Sequence, residues 1–344
     1  MDEELDLVTI EAIESIANRI FYLQPILAII GILITIPHLI ITTQKSMRAS
    51  STNSLIIGIA LCDLIVLSGI LHYRILADTN PCHNPDTYTS QIFFIFSYFC
   101  PETFTRSSFW AGLSLALIRL LVIKYPMNTR ISELARPSVG YLALLFVFLL
   151  NFLPSANYYF RFEIRKLNDW IPAKKCRGYP ANYSESAYFA DMESDFQVQL
   201  YQVISSTLQL TVSFTHPILA ILLFFEIRKV AKKAATISRN SSTDKGRTSQ
   251  MILLMTISFV FSSLPVGFEI VLRGSFEYHS IMATLLGYST LFDTMLFAIN
   301  GSVHCIICLT MSSEYRKTVK NLLRIREKEK IVIVNSMSPK NSVI

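Results

Sequence analysis

The chain is expected to fold as an all-α membrane protein: a seven-transmembrane helix bundle, N-terminus outside, with a short amphipathic helix after the last span. Three observations predict this. Seven apolar stretches run through the 344 residues, each near the roughly 20 residues a helix needs to cross about 30 Å of hydrocarbon. Mean hydropathy is +0.42 and only 16% of residues are charged, too apolar for a water-soluble domain of this length. The basic residues fall mainly in alternate connections between the stretches, as the positive-inside rule requires of cytosolic loops.

The spans are placed at 20–41, 54–76, 92–123, 139–155, 200–225, 251–272 and 281–310. Residues 1–19 are acidic (Asp2, Glu3, Glu4, Asp6, Glu11, Glu14) and are read as an extracellular tail. They hold neither a basic n-region nor an apolar h-region, so the first span is expected to act as its own insertion signal. Lys45 and Arg48 in the first loop mark the cytosolic side, as do Lys124, Arg130 and Arg136 after the third span. The basic, Ser/Thr-rich stretch 226–250 does the same after the fifth, and is expected to be mobile. The second loop has no Lys or Arg. The long outer segment 157–199 carries Arg161, Arg165, Lys166, Lys174, Lys175 and Arg177, offset by a similar number of acids.

After the last span, Tyr315, Val319, Leu322 and Leu323 alternate with basic residues over 312–326. That spacing suits an amphipathic helix on the inner leaflet, the alternative being a disordered basic tail. The domains are therefore an extracellular tail (1–19), the seven-span domain (20–311), a membrane-surface helix (312–326) and a cytosolic tail (327–344). The net charge of +6 belongs to the cytosolic loops rather than to a nucleic-acid face, so the expected partner of that charge is the lipid bilayer. No internal repeat is visible, which weighs against transporters built from two related halves.

Charges inside the spans carry most of the functional signal, because an intramembrane charge is expensive unless paired, protonated or wetted. Asp63 lies at mid-membrane depth in the second span, either bonded to neighbouring helices or serving as an ion-binding or switch residue. Glu102 and Arg106 stand one turn apart in the outer half of the third span, as a self-satisfied pair or as a ligand anchor. Tyr73 and Arg74 end the second span, and Glu269 and Asp293 occupy the outer parts of the sixth and seventh. Together these six residues are candidates to line one polar pocket for a charged ligand. Arg119 ends the third span, either snorkelling to the headgroups or meeting a cytosolic partner.

Cys82 and Cys176 fall in outer loops, where disulfides form. A Cys82–Cys176 bridge is preferred, with Cys100–Cys176 as the alternative. Asn182 opens the one outer glycosylation sequon, Asn182-Tyr183-Ser184. Cys305 and Cys308 beside His304 lack a second ligand cluster, so neither metal nor cofactor is expected from them. No phosphate loop, hydrolase elbow or zinc-protease motif is present, and no enzymatic activity is expected.

Two stretches, Lys45–Leu64 and Ser108–Met127, give the chain its likeness to a known family. It resembles class A (rhodopsin-like) G-protein-coupled receptors, and more closely the nematode serpentine receptor class w group, related to FMRFamide-type neuropeptide receptors. The resemblance covers about residues 20–325. It implies that Asp63 matches the family's sodium-site aspartate and Arg119 the arginine of its Asp-Arg-Tyr motif. Pro126 matches the proline of the following loop, and Pro217 and Pro265 the kink prolines of spans five and six. Asn300 opens the stretch that stands for the Asn-Pro-x-x-Tyr motif.

The departures are specific. Ile118 and Leu120 flank the arginine, and Ser263 stands at the position of the toggle tryptophan. His304 and Cys305 replace Asn-Pro, Cys308 replaces the tyrosine, and Thr35 replaces the asparagine of the first span. The resemblance implies a receptor with an extracellular ligand, a short peptide or an environmental small molecule, and a heterotrimeric G protein inside. From another class, the rival is a membrane channel or transporter.

Overall fold

The computed structural model describes residues 2–76, 87–173, 176, 178–180, 182–192, 196–237, 243–273 and 281–323. Seven helices among them are long and apolar enough to cross a membrane: Ala12–Thr42, Ser51–Tyr73, Tyr88–Lys124, Pro137–Tyr159, Phe196–Lys232, Arg247–Arg273 and Leu285–Met311. They belong to helices α1 (Asp2–Thr42), α2 (Ser51–Leu76), α3 (Tyr88–Lys124), α5 (Pro137–Tyr159), α6 (Phe196–Ile237), α7 (Thr243–Arg273) and α8 (Ile281–Met311). The short α4 (Thr129–Glu133) lies between α3 and α5, and α9 (Ser313–Leu322) follows the last span.

Two segments differ from expectation. The stretch read as an N-terminal tail continues α1, which is helical from Asp2. It contains no proline or glycine before Pro25 and is rich in Glu, Leu, Ile and Ala, so nothing in it ends a helix. The basic stretch after the fifth span is also largely helical, α6 reaching Ile237 and α7 starting at Thr243. Ala231, Ala234 and Ala235 among lysines favour that extension.

The long outer segment holds a hairpin that the sequence did not suggest. Strand β1 (Glu163–Lys166) pairs antiparallel with β2 (Tyr188–Asp191), with Glu163 opposite Asp191 and Lys166 opposite Tyr188. Arg165 bridges to Asp191 at 2.9 Å. The Gln91 side-chain carbonyl accepts from the Ala190 amide at 2.8 Å, which ties the hairpin to the outer end of α3.

Helix α3 is the hub, packing against α2, α5, α6 and α7, while α1 packs against α2 and α8. Phe109, Leu115, Leu55, Ile59, Leu223, Met255 and Phe259 fill the core. Leu142, Phe146, Phe225 and Phe261 point outward, where hydrocarbon surrounds the bundle. Close helix approach depends on small residues. A Cβ at Gly140 would lie 2.6 Å from the Ser51 carbonyl oxygen, so only glycine lets α5 meet α2 there.

Helix α9 is capped by Ser312, whose hydroxyl accepts from the Tyr315 amide at 3.2 Å. Tyr315 is buried, and its hydroxyl hydrogen-bonds with His38 Nδ1 of α1 at 3.0 Å. Burial, with Cys305 beside it, pushes the Tyr315 phenol above its ordinary value, so it stays protonated.

Candidate functional site

Asp63 is 1% exposed on α2 and faces both α3 and α8. The Ser108 hydroxyl donates to its Oδ1 at 2.8 Å, and His304 Nδ1 lies 3.3 Å from Oδ2. Gly301 admits the carboxylate, since a Cβ there would stand 3.3 Å from it. Asn300 is buried nearby in sequence, with both side-chain amide atoms unpartnered. These contacts bond Asp63 to two neighbouring helices. Among the described residues no group of three or more His, Cys, Asp or Glu is arranged to hold a metal ion.

An aromatic stack continues from this point. The His304 ring lies 4.6 Å from Phe259, and Phe259 stacks on His216 at 5.4 Å. Phe109 meets Phe259 and Phe297 edge-on at 6.2 and 5.7 Å. Ser263 supplies no ring here; its carbonyl accepts from the Ser213 hydroxyl at 2.6 Å. Pro217 cannot donate to the Ser213 carbonyl one turn earlier. Serine at that turn thus gives α6 a bond across to α7 where its own ladder is broken.

Among the outer candidates the hydrogen bonds and ion pairs define two groups. Arg106 Nη1 donates to Glu102 Oε1 at 2.6 Å, as the self-satisfied pair requires. The pair is the centre of a larger cluster. Arg106 Nη2 also donates to Ser155 Oγ at 2.7 Å and Tyr201 OH at 3.0 Å. Tyr159 and Tyr201 hydroxyls donate to Glu102 at 2.5 and 2.6 Å. Arg106 is 7% exposed at its side chain and Glu102 36%, so the acid is the member that reaches the surface of the cluster. Arg106 Nε is buried without a partner.

A second group joins α7 to α8. Glu269 is ion-paired with Arg273, and Arg273 Nη2 donates to the Leu286 carbonyl at 3.0 Å. Asp293 interacts electrostatically with both, and its Oδ2 is buried without a partner. The Tyr73 ring of α2 meets Tyr98 of α3 edge-on at 5.3 Å. Arg74 occupies the last turn of α2, with its side chain outside the described residues.

At the inner end of α3, Arg119 has a buried Nε with no partner. Among the described residues it forms no ion pair, and its flanking Ile118 and Leu120 offer no carboxylate. The turn after α3 exposes Pro126, and Met127 beside it is 93% exposed.

Cys100, Cys62, Cys305 and Cys308 are free thiols. Cys176 is disulfide-bonded, while Cys82 lies outside the described residues. Asn182 is exposed in a turn with φ of 67°, a left-handed conformation that asparagine tolerates.

The residues missed by sequence reasoning are Ser155, Tyr159, Tyr201 and Arg273. The tyrosines sit at span ends, where an interfacial aromatic belt explains them equally well. Arg273 had one usable signal, its place one turn beyond Glu269.

Comparison with known proteins adds one match. The family model described as "Serpentine type 7TM GPCR chemoreceptor Srw" matches residues 22–326. No curated protein matches the chain.

Proposed function

The chain belongs to the serpentine seven-transmembrane chemoreceptor family Srw and is a multi-pass plasma-membrane protein, and from that premise we propose that it carries an extracellular signal to a heterotrimeric G protein. One observation carries this reading. Helix α3 holds a hydrogen-bonded charge cluster at Glu102 and Arg106 and an acid-free arginine, Arg119, about 20 Å further along its axis. The first is placed to exchange its partners for a ligand's charges, the second to exchange lipid headgroups for a protein.

An agonist activates only as far as it binds the active arrangement better than the inactive one. Reversing a 99:1 equilibrium takes about 5.5 kcal/mol of such preference. Replacing the internal partners of Glu102, or pairing the buried oxygen of Asp293, supplies differential contacts of that kind. Movement then falls to α6 and α7, whose Pro217 and Pro265 break the backbone ladder. Pro126, Met127 and the basic residues Arg228, Lys229, Lys232 and Arg247 border the cytosolic site in this reading.

A short peptide fits the charged clusters, and a basic one suits the acidic residues 2–14. The family's description favours the second reading, an environmental small molecule. Asp63 and Ser108 offer oxygen donors for a sodium ion, with His304 sharing one Asp63 oxygen. A Cys82–Cys176 bridge and a glycan at Asn182 complete the outer face in this proposal.

The test is second-messenger output in cells expressing the chain, challenged with neuropeptide and small-molecule libraries beside an Arg119→Ala version. A response to one ligand that disappears in the variant, at equal surface expression, is expected. An undiminished response in the variant would remove Arg119 from coupling.

A further inference from the structure

Between the outer halves of α3 and α5 and the start of β1 lies a cavity of about 180 Å³. Ile95, Phe96 and Phe99 line it from α3, Ala156 and Tyr159 from α5, and Phe162 from the turn before the hairpin. The lining side chains are hydrocarbon apart from one hydroxyl, and that group is committed elsewhere: Tyr159 OH donates to Glu102 at 2.5 Å. Tyr159 is stacked with Phe162 at 5.8 Å and met edge-on by Phe99 at 5.4 Å.

A charged or hydrogen-bonding occupant would find little to pair with here, since no lining side chain but Tyr159 carries a polar group and that hydroxyl is taken. An apolar one gains. A dry cavity of about 150 Å³ lined by aliphatic and phenyl groups suffices to bind benzene, and this one is slightly larger. The aromatic lining favours a ring, because edge-to-face contacts add to simple burial. A lipid acyl chain is apolar too, but a space of this size holds only part of one.

We propose that this cavity is a binding site for a small uncharged molecule of one aromatic ring, taken up from the outer leaflet past the exposed Phe96 and Phe160. It is separate from the charged clusters of the proposed ligand site, and its existence does not depend on G-protein coupling. It is nonetheless adjacent to the Glu102 cluster. The occupant packs against the ring whose hydroxyl holds Glu102.

Photolabelling of the full chain in lipid nanodiscs with trifluoromethyl phenyl diazirine, followed by peptide mapping, tests it. Labelling of 92–99 and 156–162 is expected to saturate and to be displaced by toluene. Labelling of outward-facing Leu142 and Phe146 is expected to rise linearly with probe, as for any surface in contact with lipid. Ala156→Phe and Ile95→Trp fill the space from different helices, and each should abolish the saturable part while sparing Leu142 and Phe146. Linear labelling throughout, or saturable labelling untouched by both fills, would overturn the proposal. Displacement by oleic acid but not by toluene would also overturn it, by assigning the cavity to an acyl chain.

Discussion

Glu102 shows how a charge survives in the outer bundle: two tyrosine hydroxyls and a guanidinium share its oxygens. Removing it leaves Arg106 buried without its acid. Glu102→Ala is predicted to cost about 3 kcal/mol, at the low end for a buried pair because Glu102 is partly exposed. Tyr159→Phe keeps the pair and should cost about 1–2 kcal/mol. Thermal unfolding of the detergent-purified protein ranks the two, and equal losses would contradict the described network. Asp63→Ala strands Ser108 and His304 in the core and should cost about 1–3 kcal/mol on the same scale. Asp63, Glu102 and Arg106 were legible in the sequence because a charge within an apolar run always demands an explanation. Ser155 and Tyr201 were not, since their role depends on which way two other helices face, and one sequence does not display helix rotation.

Among the elements, the helices follow from composition alone. Long apolar runs have no alternative to helix in lipid, so the seven spans could be placed to within a few residues at most ends. The hairpin could not. Its strands are four residues each and lie far apart in the sequence, and what ties the hairpin down is Gln91 of a distant helix. Helix packing adds a sharper test. Gly112 of α3 lies directly under the Phe259 ring of α7. Gly112→Val should force that ring aside at a cost of about 1–3 kcal/mol, read as a lower unfolding temperature. Unchanged stability would mean α3 and α7 do not meet as described.

For the whole molecule, orientation is the first consequence of charge. Basic loops inside place the N-terminus outside and α9 in the cytosol, and epitope tags at both ends of the chain in intact cells should show only the first. The family match and the seven spans establish a receptor architecture. Signalling is the step built upon it. If ligand and G protein both prefer one arrangement, each must tighten the binding of the other, because coupling is reciprocal. The decisive measurement is nucleotide exchange on a purified heterotrimeric G protein, with the receptor reconstituted in nanodiscs and a ligand found by the cell screen. Ligand-dependent exchange, lost in Arg119→Ala, is the predicted result. A ligand-gated ion current with no exchange would contradict the account and make the bundle a channel.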